Sequence, residues 1–196
     1  MNLPNKITLT RIFMIPVFMA VFFIDFPFHY GISAIVFVVA SCTDFLDGYI
    51  ARSKGLVTNL GKFLDPIADK VLVATAMVLL LSLQPLFALF SVSKMLIYVT
   101  VVICVCIILA RELIISAFRQ IAAANGIVMA AEKLGKYKTV FQDVALFILL
   151  LAVDLPLNLA TIFAWVGFGL FSMATLLTVW SGVAYIIKNK QVLKDQ

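Results

Sequence analysis

Charged residues are scarce in this chain of 196 residues: 13% are Asp, Glu, Lys or Arg, whereas 64% are hydrophobic. Soluble domains have about 25% charged and about 45–50% apolar residues, so this composition excludes an ordinary soluble domain. The mean hydropathy of +1.13 agrees. The apolar segments are continuous, whereas transmembrane β-strands alternate apolar and polar residues. The composition therefore predicts an all-α integral membrane protein, with one domain over residues 1–196.

Cysteine and histidine are equally rare, with three and one residues respectively. Cys42, Cys104 and Cys106 all lie inside apolar runs, and their spacing fits neither a disulfide framework nor a zinc site. We therefore expect free, buried thiols. His29 falls in a short polar interruption, where we expect a surface residue rather than a metal ligand.

The chain divides into six mainly apolar runs, and we interpret each as one transmembrane helix, which typically needs about 20 residues. The runs are separated by short stretches rich in helix breakers, such as "DFPFHYG" and "VDLPLN". A short juxtamembrane segment, "NLPNKI", precedes the first run. The predicted transmembrane helices are Thr8–Ile24, Tyr30–Arg52, Lys62–Leu83, Ser93–Ala122, Lys138–Val153 and Leu159–Ile187.

The positive charges predict the orientation of these helices. Of the 15 Lys and Arg residues, all except Lys94 fall on the side that holds both termini, the loop after the second helix and the loop after the fourth. Positively charged loops face the cytoplasm, so we expect both termini there. The net charge of +5 then reflects topology, and it does not indicate a nucleic-acid partner.

Four aspartates lie close together in the stretch "DFLDGYIARSKGLVTNLGKFLDPIADK". Asp44 and Asp47 are three residues apart, and Asp65 and Asp69 are four apart, so each pair shares one helix face. Ionisable groups in membrane helices are costly and are functional residues by default. Four converging carboxylates would repel one another unless a cation joined them. An all-oxygen ligand set favours Mg²⁺ or Mn²⁺, and four carboxylates suffice for two ions.

The residues between the aspartates suit a phosphate ligand. Arg52 offers a planar fork of donors, and Thr58 offers a polar contact in the loop. Gly48 and Gly61 allow a bulky group to approach the backbone. Two other interpretations remain open from the residues alone. One is a salt-bridged helix hairpin, and the other is a divalent-cation transporter, which predicts acids on several helices near the middle of the membrane.

The whole stretch resembles the signature of the CDP-alcohol phosphatidyltransferases. It reads Asp44-x-x-Asp47-Gly48-x-x-Ala51-Arg52, then eight residues, then Gly61-x-x-x-Asp65-x-x-x-Asp69, with every signature position filled. The resemblance implies six transmembrane helices, a homodimer and an active site facing the cytoplasm from a bacterial inner membrane. It also implies an enzyme that transfers a phosphatidyl group from CDP-diacylglycerol to an alcohol.

The resemblance further implies a role for each signature residue. One metal ion would be held by Asp44, Asp47 and Asp65, and a second by Asp44, Asp65 and Asp69. Asp69 would also be the general base. The CDP-diacylglycerol site would include Gly48, Arg52, Thr58 and Gly61.

Cations outside the signature point to the acceptor alcohol. Arg111 and Arg119 are eight residues apart, about two helical turns, and so share a helix face. A cluster of cations beside an acidic metal site suits an acceptor that carries its own phosphate. Glu112 is placed to orient one of the arginines. Positive-inside topology is the alternative explanation for the lysines of the neighbouring loop.

Three further stretches, "PNKITLTR", "ARELIISAFR" and "GKYKT", are similar to the branch of the family that uses glycerol 3-phosphate. That similarity implies that Asn5 and Thr8 contact the nucleotide or lipid phosphate, although helix capping is an alternative for both. It also implies that Arg111, Arg119 and Lys136 hold glycerol 3-phosphate, with inositol phosphate as the alternative acceptor. Asp143 is expected near the start of the fifth helix, where it would favour the helix dipole.

Overall fold

The computed structural model describes residues 3–53, 59–91, 94–124 and 133–190, with side chains described outside 3–5, 44–53, 59–63, 65, 124 and 133–134. Within these residues the regular elements are all helices. Six are long and one is a single short turn of helix. They are α1 (Leu3–Phe23), α2 (His29–Ser53), α3 (Asn59–Ser82), α4 (Gln84–Ala88), α5 (Lys94–Ala124), α6 (Lys133–Ala152) and α7 (Leu157–Lys188).

The six predicted helices are all present, but several begin earlier than predicted. α1 is one continuous helix from Leu3, so the juxtamembrane segment is not a separate element. α6 begins at Lys133, five residues before the predicted Lys138. The residues at these ends continue the helix, because Lys and Leu have good helix propensity even where the mean hydropathy is low. The short α4, with Pro85 in its first turn, was not predicted.

Among the residues that the structure describes, three helices are long and apolar enough to cross a membrane, in the segments Lys6–Phe23, Lys94–Ala123 and Leu157–Lys188. A shorter apolar segment, His29–Thr43, lies in α2. Only about a third of each long segment is buried inside the protein, so most of its apolar surface faces outward. The expectation of buried thiols is therefore correct for Cys104 and wrong for Cys42 and Cys106, which are exposed. Exposed apolar surface of this extent is unfavourable in water and normal in lipid. The protein is therefore embedded in a membrane.

The long helices run alternately up and down. α1 packs along α2, and α6 along α7, with α2 also against α6 and α5 against α7. The core between them is apolar and includes the fully buried side chains of Phe18, Phe37, Leu72 and Phe171. One end of the bundle, here called the motif end, carries the last turns of α2 and the first turns of α3. The opposite end is called the far end.

The far end is closed by a contact between two turns. The backbone N–H of Gly31, in the first turn of α2, donates to Asp154 Oδ2 at 2.6 Å. Asp154 lies in the turn between α6 and α7. The first N–H groups of a helix have no partner within it, so a carboxylate there stabilises the helix start. This bond fixes the far end of α2 against the α6–α7 pair.

Candidate functional site

The aspartate signature lies on two continuous helices. Asp44 and Asp47 belong to α2, and Asp65 and Asp69 belong to α3, so the helical spacing assumed for each pair is confirmed. α2 and α3 contact each other. Among the four aspartates, the structure describes the side chain of Asp69 alone, which is half-buried. Thr58 lies outside the described residues. For seven other predicted site residues the structure describes the backbone only: Asn5, Asp44, Asp47, Gly48, Arg52, Gly61 and Asp65.

The donor chemistry of the signature fits a hard divalent cation. All four acids are carboxylates, and His29, the only histidine, lies at the far end, where its Nδ1 is 3.0 Å from the carbonyl oxygen of Phe22. A site without imidazole suits Mg²⁺ or Mn²⁺ better than zinc. Within the described side chains there is no group of three or more His, Cys, Asp or Glu residues that could hold a metal. The metal assignment to the four aspartates therefore stays a prediction.

Arg11 is fully buried between α1 and α2, next to the signature. Its Nε donates toward the carbonyl oxygen of Ala40 at 3.3 Å and toward Thr43 Oγ1 at 3.1 Å. Thr43 Oγ1 itself donates to the same carbonyl at 2.6 Å. Thr8, one turn earlier on α1, is also buried, with 1% of its surface exposed. The two residues line the inner face of α1 at the motif end.

Asp143 contacts α2 from the other side. Ser41 Oγ donates to Asp143 Oδ2 at 2.9 Å. The prediction that Asp143 lies near a helix start is wrong, because α6 begins at Lys133 and Asp143 sits ten residues into it. Its neighbour Gln142 is buried, and Gln142 Oε1 has no hydrogen-bond partner among the described residues. A carboxylate this far inside a helix acts through side-chain contacts and not through the helix dipole.

A second polar cluster joins α5, α6 and α7. Glu112 Oε1 accepts from Arg111 Nη1 at 3.1 Å and from the ammonium of Lys138. Arg111 Nη2 donates to Ser181 Oγ on α7 at 3.2 Å. The predicted orienting role of Glu112 is therefore confirmed in its geometry. Lys138 is buried, so of the two lysines in "GKYKT" it is this one, and not the exposed Lys136, that contacts the arginine cluster.

Arg119 lies two turns beyond Arg111 on α5 and faces the same neighbour. Its Nε donates to the hydroxyl of Tyr185 at 3.2 Å, and its guanidinium carbon lies 5.4 Å from the centre of that ring. Ser181 and Tyr185 are four residues apart on α7, so the two arginines contact one face of that helix. The expectation that Arg111 and Arg119 share a face is confirmed.

The acidic and basic parts of the site are linked by Lys70. Lys70 follows Asp69 on α3, and its ammonium donates to Ser116 Oγ on α5. Ser116 in turn donates to the carbonyl oxygen of Glu112 at 2.6 Å. The residue next to the expected general base thus contacts the helix that carries Arg111 and Arg119. The structure brings these two groups to the same end of the bundle.

Several of these residues were not identified from the sequence as part of the site. They are polar side chains within mainly apolar helices, and this feature of the sequence could have identified them as candidates. In the sequence, Arg11 contributes only a positive charge to the topology argument, and Lys138 belongs to the loop lysines for which topology and acceptor binding are equally good explanations. The residues in question are Arg11, Ser41, Lys70, Ser116, Lys138, Gln142, Asp143, Ser181 and Tyr185.

Comparison with known proteins agrees with the signature. The sequence model of the CDP-alcohol phosphatidyltransferase family matches residues 1–184. A Bacillus subtilis protein is 40% identical, covering 98% of this chain and 97% of its own length. A Salmonella paratyphi A protein is 38% identical over 100% of this chain and 98% of its own length. A Rickettsia bellii protein is 42% identical over 76% of this chain and 75% of its own length.

All three relatives are named CDP-diacylglycerol–glycerol-3-phosphate 3-phosphatidyltransferase. The match extends over nearly the whole chain and includes every position of the aspartate signature. The resemblance noted from the sequence is therefore confirmed, and the protein belongs to the CDP-alcohol phosphatidyltransferase family.

Proposed function

We propose that the protein transfers a phosphatidyl group from CDP-diacylglycerol to glycerol 3-phosphate, giving phosphatidylglycerophosphate and CMP, as the names of its relatives suggest. The observation that carries the acceptor choice is the position of Arg111 and Arg119. Both arginines contact one face of α7, at the end of the bundle where Lys70 joins the signature helix to α5. Guanidinium groups recognise phosphate through planar, charge-assisted hydrogen bonds.

In the proposed reaction, Asp69 accepts the proton of an acceptor hydroxyl. The hydroxyl oxygen forms a bond to the phosphorus that carries diacylglycerol, while the bond from that phosphorus to CMP breaks. Arg111, Arg119 and Lys136 hold the phosphate of glycerol 3-phosphate, so the hydroxyl is fixed before it reacts. The exposed Lys136 lies on the first turn of α6, beside the paired Lys138.

The donor substrate is assigned to the opposite side of the signature. Arg52 and Thr58 bind the diphosphate and cytidine, and Gly48 and Gly61 leave room for them. Asn5 and Thr8 contact the nucleotide or lipid phosphate, and the burial of Thr8 on the inner face of α1 supports this part of the proposal. Two Mg²⁺ or Mn²⁺ ions held by Asp44, Asp47, Asp65 and Asp69 would neutralise the diphosphate charge when bound.

The proposal includes a membrane topology. The single domain crosses a bacterial inner membrane six times, since α4 has five residues and is far too short to cross. The motif end faces the cytoplasm, together with both termini. Support comes from the 15 Lys and Arg residues, of which only Lys94 falls on the other side. We also propose a homodimer, as the family resemblance implies.

An acceptor panel tests the proposed activity. The purified protein in detergent is given CDP-diacylglycerol, Mg²⁺ and one labelled acceptor at a time: glycerol 3-phosphate, inositol phosphate or serine. We expect labelled lipid and stoichiometric CMP with glycerol 3-phosphate. Product with another acceptor alone would overturn the acceptor assignment. Divalent-cation flux into proteoliposomes, with no product formed, would favour a transporter. Asp69→Asn is the inactive control, because an amide cannot take up the hydroxyl proton.

A further inference from the structure

Helix α2 is held from two sides in the turn that precedes the aspartate signature. On one side, Arg11 of α1 contacts Ala40 and Thr43. On the other, Asp143 of α6 accepts a hydrogen bond from Ser41. The contacted residues are followed at once by Asp44. The turn of α2 that precedes Asp44 therefore lies between a buried cation of α1 and a carboxylate of α6.

Burying Arg11 costs desolvation free energy, and better packing between α1 and α2 does not require a charged residue there. Arg11 is fully buried in an apolar helix, where taking a charge from water costs several kcal/mol before hydrogen bonds offset it. A well-packed apolar side chain often gives equal or greater stability at such a position. The Arg11 guanidinium is therefore better explained by where it places hydrogen bonds on α2 than by the stability that it adds to the α1–α2 contact.

In a membrane, hydrogen bonds between helices can specify their register, whereas apolar contacts specify it poorly. Lipid tails are as apolar as Leu or Phe, so apolar faces of membrane helices gain little by meeting in one register rather than another. Ala40 and Thr43 are three residues apart and lie on the face of α2 toward α1. Ser41 lies on a different face, toward α6. Bonds on two faces fix both the rotation of α2 and its position along its axis.

We propose that Arg11 and Asp143 are positioning residues that form a clamp on α2 and thereby place Asp44 and Asp47 for divalent-cation binding. The inference rests on the proposed function, since it assumes that these aspartates are metal ligands. Neither clamp residue is assigned a contact with substrate. Their effect passes through Ala40, Ser41 and Thr43 to the next turn of the helix.

The experiment compares both ends of the same helix. Arg11→Met and Asp143→Ala remove the two contacts of the clamp, and Arg11→Lys keeps a donor of similar reach. Asp154→Ala is the matched control, because the Asp154 carboxylate accepts a hydrogen bond at the other end of α2. For each variant we would measure Mn²⁺ dissociation constants by electron paramagnetic resonance in detergent, together with the Tm, and the kcat and KM for CDP-diacylglycerol.

We expect Arg11→Met and Asp143→Ala to weaken Mn²⁺ binding about tenfold or more, the usual effect of losing groups that orient metal ligands. Arg11→Lys should recover part of the affinity. Asp154→Ala should lower the Tm and leave the Mn²⁺ dissociation constant within about twofold of wild type, because its effect ends at the far end. The inference is overturned if clamp and control variants change Mn²⁺ affinity equally, or if clamp variants bind like wild type.

Two milder variants keep the test decisive if Arg11→Met does not fold. Ser41→Ala removes one donor to Asp143, and Thr43→Val removes one contact of Arg11 without changing shape. Weaker Mn²⁺ binding in both supports the clamp, and unchanged binding in both overturns it. Mn²⁺ binding needs no acceptor, so the clamp can stand when the acceptor panel fails. Conversely, if the wild type forms product and the clamp variants bind Mn²⁺ normally, the positioning role is overturned and the proposed activity stands.

Discussion

At the scale of single residues, one carboxylate lies between two cations in the second polar cluster. Lys138 is 4% exposed and Arg111 17%, and both donate to Oε1 of Glu112. One negative charge facing two positive ones leaves a net positive charge in a poorly hydrated place. An anionic ligand is favoured there over a neutral alcohol. Arg111 Nε, buried and without a partner among the described residues, is a further donor.

We expect Arg119 to contribute to binding of the acceptor, glycerol 3-phosphate, and hardly to binding of the donor, CDP-diacylglycerol. Replacing it with Ala removes a charge-assisted contact, and hydrogen bonds to charged groups contribute about 1.5–3 kcal/mol. We therefore expect the KM for glycerol 3-phosphate to rise about tenfold or more, with the KM for CDP-diacylglycerol within about twofold. Steady-state kinetics with each substrate varied in turn would measure both constants.

Three other variants separate the charge of Arg119 from its contacts. Arg119→Lys keeps the charge and loses the planar fork, so an intermediate KM is expected. Tyr185→Phe removes only the hydroxyl that Arg119 contacts, and its effect should be smaller than that of Arg119→Ala. Lys94→Ala removes an exposed cation at the far end and should change neither constant. Equal increases in both KM values for Arg119→Ala would contradict the assigned pocket.

At the scale of elements, α6 and α7 approach closely where Gly167 faces Leu149. A Cβ atom at Gly167 would lie 2.7 Å from Leu149 Cγ and 2.8 Å from its Cδ2, closer than packed atoms allow. Two residues later, a Cβ at Gly169 would meet nothing within 4 Å. The same α7 thus offers a tight position and an open one. Close approach of small residues is a common way for membrane helices to associate.

Gly167→Ala and Gly169→Ala should therefore differ in sign. Overpacking costs about 1–3 kcal/mol, so Gly167→Ala should lower the Tm. At Gly169 the added methyl meets open space, and Ala stabilises a helix interior by about 0.5–1 kcal/mol relative to Gly. Thermal unfolding in detergent micelles would measure both. Equal shifts in the two variants would show that the α6–α7 packing described here does not hold.

The existence of the long helices was predictable because each contains a long, mainly apolar run. Their ends were less so: Lys133 and Leu3 begin helices that hydropathy alone starts later. The signature aspartates were found through local spacing of three and four residues. The contacts of Arg11 with Ala40 and of Ser41 with Asp143 join residues 29 and 102 positions apart. Such pairs depend on how the helices pack, which one sequence does not specify.

At the scale of the whole molecule, the polar groups are distributed unevenly between the two ends. The motif end holds the buried Arg11 and Lys138 together with the aspartate signature, whereas the far end is closed mainly by aromatic contacts and the Gly31–Asp154 bond. α7 has 32 residues and is about 48 Å long at 1.5 Å per residue, longer than the apolar core of a bilayer of roughly 30 Å. The helix is therefore long enough to tilt or to extend beyond the hydrocarbon, and its last turns, where Tyr185 contacts Arg119, lie at the motif end.

The proposed orientation can be tested with single cysteines in a background lacking Cys42, Cys104 and Cys106. The exposed Lys6 and Lys190 lie at the motif end, and the exposed Ser91 lies at the far end, before α5. In intact spheroplasts, a membrane-impermeant maleimide should label Ser91→Cys and should label Lys6→Cys and Lys190→Cys only after permeabilisation. Labelling of the two motif-end cysteines from opposite sides would contradict an even number of spans. Labelling of both from outside would reverse the orientation and place the signature away from cytoplasmic CDP-linked substrates.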